Sequence, residues 1–93
     1  MTLDAQTRLA RSREAAWQTI DGETVILGVR TRELVGLNRV AGRVWTLLDG
    51  TRSLASLVAA IATEFAQPAE RVEPDVRAFL AELCELQLVV ATV

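Results

Sequence analysis

The sequence predicts a compact α+β domain of the winged helix-turn-helix kind, a three-stranded antiparallel sheet followed by three helices. Three observations predict it. Up to Leu37, short β-branched runs alternate with turn residues; from Asn38 onward, apolar residues recur at helical spacing; and every connection between these segments is short.

The strands come first. Ala15-Ala16-Trp17-Gln18-Thr19-Ile20 is followed by Asp21-Gly22, a two-residue hairpin signal, because both turn positions require a positive φ that this pair adopts readily. Glu23 to Val29 is the second strand, with Val25, Leu27 and Val29 on one face and Ile26 on the other. After a turn at Thr31-Arg32-Glu33, Leu34-Val35-Gly36-Leu37 forms a third, exposed strand, with Val35 and Leu37 on one face and Leu34 and Gly36 on the other. The helices follow. Asn38 caps a helix with the stripe Val40, Ala41, Val44, Trp45 and Leu48, which Asp49-Gly50 ends. Ser53 caps the next, whose stripe is Leu54, Leu57, Val58, Ile61 and Phe65, with Pro68 as its breaker. The third stripe is Val72, Val76, Phe79, Leu80, Leu83 and Leu86. Pro74 lacks an N–H, so a short turn over Ala69 to Val72 and a main helix beginning near Pro74 are predicted. Leu88 to Val90 is a tail strand or part of the core. Residues 1–13 show no period and are predicted to be a loose terminus, leaving residues 14–93 as the domain.

The composition excludes more than it requires. The chain has 93 residues, enough for one domain with one modest core. It has no His and no Lys, so the commonest general base, the commonest metal ligand and the Schiff-base amine are all missing. Cys84 is the only Cys, which rules out an internal disulfide and a thiolate zinc site; it reads as a small buried hydrophobe. No catalysis and no cofactor are expected. The apolar runs are too short to span a bilayer and no secretory signal opens the chain, so a cytoplasmic protein without a membrane partner is expected. The net charge of −2 is not that of a duplex-binding domain. A DNA-binding winged-helix regulator is nevertheless the main rival, and the last helix decides against it. From Glu70 to Glu85 it carries Glu70, Glu73, Asp75, Glu82 and Glu85 against only Arg71 and Arg77, the wrong sign for a phosphate-lined groove. Binding to nucleic acid is therefore not expected. A purely structural adaptor is the second rival.

What remains is the third strand. At a sheet edge its unpaired N–H and C=O groups can accept a guest strand, or a second copy of the chain to give a homodimer.

The run Leu34-Val35-Gly36-Leu37-Asn38, then Ala41, Val44-Trp45 and Leu47-Leu48-Asp49-Gly50, resembles the central signature of the PqqD-like family. The resemblance continues through Ser53, Leu57, Ile61 and Phe65 to Asp75-Val76, Phe79-Leu80, Leu83, Leu88 and Val89, covering residues 14 to 90. Gln87, where many relatives have Gly, and Pro74 depart from the pattern. The family's members are recognition elements for ribosomally synthesised and post-translationally modified peptides. The resemblance implies a free-standing protein that grips the leader segment of a precursor peptide as an added strand. Its further partner would be a leader peptidase or another modifying enzyme, as in lasso-peptide or quinone-cofactor pathways, with the lasso branch favoured. It also implies contacts from Leu34, Val35 and Gly36 on the strand and from Asp75, Val76, Phe79, Leu80 and Leu83 on the last helix. Each has a plainer role too. Val76, Leu80 and Leu83 fit a core stripe, Gly36 a tight strand, and Asp75 the favourable charge of a helix N-terminus. Leu34, Val76 and Phe79 are the better candidates for contact. Trp45 belongs to the core stripe, whereas Trp17 on the first strand is free to serve a partner.

Overall fold

A computed structural model describes residues 3–92; Met1, Thr2 and Val93 of the predicted segments lie outside them. The elements in order are β1 (Arg8–Arg11), β2 (Ala15–Ile20), β3 (Glu23–Gly28), β4 (Leu34–Leu37), α1 (Arg39–Thr46), β5 (Asp49–Ser53), α2 (Leu54–Glu64), α3 (Ala69–Glu85) and β6 (Val89–Thr92). The predicted α+β class, the meander and the three helices are all present. The meander is the sheet β2-β3-β4, antiparallel throughout. Its first turn uses Asp21 at φ 53° and Gly22 at φ 82°, the two positive angles that a hairpin with right-handed twist demands. One face of the meander buries Thr24, Ile26 and Leu37, and the other leaves Val25, Leu27 and Leu34 exposed.

The loose terminus is a correction. Arg8–Arg11 is the central strand of a second sheet, ordered β5-β1-β6, and Leu9 within it is 0% exposed. Arg8 lies opposite both Ser53 and Thr92, so this strand's partners sit at the middle and the far end of the chain. The segment before it is also anchored. The carbonyls of Ala5 and Thr7 accept from the N–H groups of Ala55 and Leu54, two orphan donors of the first turn of α2, and Leu3 is in the core. The predicted glycine stop after α1 is a second correction. The helix ends at Thr46, and Gly50, at φ 87°, lies inside β5 where the register with β1 shifts.

The caps match the sequence. The Asn38 side chain accepts from the Ala41 N–H at 2.8 Å, and the Ser53 hydroxyl from the Ser56 N–H at 3.1 Å. Arg11 supports the other end of α1, donating to the Trp45 and Thr46 carbonyls at 3.0 Å each while its guanidinium lies 5.2 Å from the centre of the Trp17 ring. Trp17 stands edge-on to the fully buried Trp45, so it is tied to the fold while remaining 41% exposed.

The break predicted at Pro74 is the third correction: α3 runs unbroken from Ala69 to Glu85. Pro74 removes a single backbone bond, the one to the Glu70 carbonyl. Both residues are exposed, so solvent can serve that carbonyl and the helix continues. The helix has Leu86 as its C-cap. Gln87 has φ 61°, its N–H donates to Cys84 O at 3.0 Å, and the Leu88 N–H donates to Leu83 O at 2.9 Å. This is the left-handed helix stop that glycine fills without strain, and it turns Leu88 and Val89 back into the core. Replacing Gln87 with Gly should therefore stabilise the protein by roughly 1 kcal/mol, read as a higher midpoint in urea unfolding with an unchanged slope.

Candidate functional site

The antiparallel register fixes what the edge strand offers. Leu27 pairs with Leu34, Ile26 with Val35, Val25 with Gly36, and Thr24 with Leu37. Directly before this run, the Gly28 N–H donates to the Glu33 carbonyl at 2.9 Å, marking that pair as hydrogen-bonded. Pairs alternate along such a ladder, so the main-chain groups of Val35 and Leu37 bond inward to β3. The N–H and C=O of Leu34 and Gly36 then point to the open side. Among the described residues no strand lies beyond β4 and no other backbone bond occupies that edge. Leu34 is 70% exposed, and a Cβ added at Gly36 would meet nothing within 4 Å, so nothing of the fold obstructs the approach.

The strand runs straight into the cap of α1, and there a groove of about 430 Å³ opens between α1 and α3. Asn38, Val40, Ala41 and Val44 line one side, and Asp75, Val76 and Phe79 the other. The walls are apolar, and Asp75 is the one charged side chain in the lining. The fixed position of α1 comes from Gly42, where a Cβ would stand 2.7 Å from Thr24 Oγ1, so only glycine lets the helix sit this close to the sheet. At its far end the Arg43 guanidinium grips Glu64 of α2 with Nε at 2.8 and 3.0 Å from the two carboxylate oxygens.

The site residues expected from the sequence separate into three groups. Asp75, Val76 and Phe79 meet in the groove; Val76 is nearly buried and forms its floor, whereas Phe79 is half-buried. Leu34 and Gly36 present the open edge, while Val35 faces inward and packs on the core. Leu80 and Leu83, 0% and 1% exposed, belong to the core and do not line the groove. Asn38, Val40, Ala41 and Val44 are absent from the sequence-derived set. Val40 is exposed on a stripe whose later members, Val44, Trp45 and Leu48, are buried, a distinction that only the helix's packing reveals.

Burial pushes the Cys84 thiol up, leaving it less nucleophilic at neutral pH. Among the described residues no group of His, Cys, Asp or Glu is placed to hold a metal ion, and no helix is long and apolar enough to cross a membrane.

Comparison with known proteins gives a consistent set of relatives. The family model for coenzyme PQQ synthesis protein D, PqqD, matches residues 23–89. The solved structure of TbiB1 in complex with the TbiA(beta) leader peptide is 31% identical and superposes with a TM-score of 0.80, covering 90% of this chain and 98% of that one. A lasso peptide synthetase B1 complexed with its leader peptide, 22% identical, shares the fold at a TM-score of 0.77 over 89% of this chain and 98% of the other. No curated protein matches the chain.

The division between core and surface has a direct test. Leu80→Ala should cost about 2–5 kcal/mol in urea unfolding, and Leu34→Thr should change stability by less than about 0.5 kcal/mol.

Proposed function

The chain belongs to the PqqD family, and from that premise we propose that it binds the leader segment of a ribosomally made precursor peptide and presents it to processing enzymes. The leader adds as a strand to the open edge of β4, beside α3. The observation that carries this reading is the free edge itself: the outward main-chain groups of Leu34 and Gly36 are unpartnered, and β4 leads directly into Asn38, which lines a mostly apolar groove between α1 and α3. Such addition takes affinity from main-chain bonds and specificity from the pockets beneath alternate guest side chains. Leu34 and Gly36 supply the bonds, and Val35 fixes the strand by packing inward. Phe79 and Asp75 contact guest side chains over the floor made by Val76, and Asn38, Val40, Ala41 and Val44 join them as the second wall. That TbiB1, the 31% identical relative, holds a leader peptide supports the reading. In this role the chain does no chemistry; a leader peptidase and a cyclase of a lasso-peptide pathway are the enzymes it would serve.

Binding is measured by fluorescence anisotropy with the labelled leader of the precursor encoded beside the gene. Phe79→Ala should weaken binding about tenfold or more through lost apolar contact. Gly36→Pro should do the same by deleting an outward N–H while leaving the β3 ladder intact, as proline is tolerated on an open edge. Full affinity in a folded Gly36→Pro protein would exclude strand addition at β4.

A further inference from the structure

Asp75 has no structural task in this fold. The unbroken α3 begins at Ala69, which puts Asp75 in the second turn, past the reach of the helix-terminus charge that a start near Pro74 would have given it. Among the described residues its carboxylate makes no ion pair and no side-chain hydrogen bond: the ion pairs found are Arg30 with Glu14, Arg43 with Glu64, and Arg77 with Glu73. None of the neighbouring cations forms an ion pair with Asp75. Arg77 binds Glu73 and the Leu3 carbonyl. Arg39, next to the cap of α1, lines a different pocket with Thr19, Thr24 and Arg43. Arg71, one turn before Asp75, is exposed and does not line the groove. Along the same helix face Arg71 precedes Asp75 and Glu82 follows Phe79 at helical spacing, and neither of these opposite charges lines the groove. An apolar groove therefore carries one free carboxylate at its rim, with no cation in its lining to neutralise it.

We propose that Asp75 is a specificity-determining residue that selects peptides bearing Lys or Arg where the guest strand passes it. This inference rests on the strand-addition reading and names the class of guest. A basic side chain suits the place on two counts. Its aliphatic stem covers Val40 and Phe79 while its head reaches the carboxylate, and a negative guest residue there would be repelled.

The test uses the intact protein and needs no known leader: a phage-displayed library of random linear peptides is selected on the wild type, Asp75→Asn and Asp75→Lys. Asp75 is exposed and unbonded, so both variants should keep the wild-type melting temperature. The wild type should enrich peptides with Lys or Arg at a fixed distance from apolar anchors. That preference should vanish in Asp75→Asn and turn to Asp or Glu in Asp75→Lys. A synthetic consensus peptide should bind Asp75→Asn about fivefold more weakly than wild type, and the difference should shrink in high salt. Enriched peptides with no charge preference, or a basic preference that survives both substitutions, would overturn the assignment. No enriched peptide at all would instead remove the strand-addition reading. Self-association of the wild type that Asp75→Lys abolishes would give the groove to a second copy of the chain.

Discussion

Backbone polar groups must find partners, and in β4 only half of them find partners within the fold. The two residues bonded to β3 are those whose side chains face the core, Val35 and Leu37, because the alternation of ladder bonds and the alternation of side chains share a period of two. Burying Leu37 and Val35 therefore forces the free N–H and C=O groups onto Leu34 and Gly36. A one-residue slip would expose Leu37 and bury Leu34, so the core that stabilises the domain also holds the open edge in register.

The groove follows from the same constraint carried one element further. Asn38 ends β4 and caps α1 in a single step, so the strand edge and the helix wall cannot move independently. Gly42 against Thr24 sets the depth of α1 on the sheet, and Trp45, fully buried, anchors its other end. Helix α3 then closes the second wall through Val76, Leu80 and Leu83, which pack into the core and leave Phe79 and Asp75 beside the opening. Groove lining and core thus alternate along one helix, which is why Phe79 and Leu80 are sequence neighbours.

This geometry also explains what the sequence made legible. Signals that act within a few residues were readable: Asp21-Gly22 as a hairpin, Asn38 and Ser53 as caps, and the alternation of Leu34 to Leu37. The sheet β5-β1-β6 was not. Arg8–Arg11 and Asp49–Ser53 have little apolar alternation, and their pairing depends on partners about forty residues apart or more along the chain. Helix α3 was misjudged at Pro74 because the cost of a proline depends on whether the carbonyl it orphans is exposed, a property of tertiary packing. At the site, periodicity marked Val76, Leu80 and Leu83 alike, and all three are buried; only Val76 also lines the groove. The α1 wall was missed for a related reason: Val40 and Val44 share a stripe, and the packing of α3 decides which part of it stays open.

Strand addition, as proposed, would place a guest on the outward amides of β4. Backbone hydrogen exchange resolves those amides individually, with the leader peptide present and absent. Leu34 and Gly36 should exchange rapidly in the free protein and become strongly protected in the complex, while Val35 and Leu37, already bonded to β3, should change little. Protection on leader binding that appears at other strands and leaves Leu34 and Gly36 exchanging freely would contradict it.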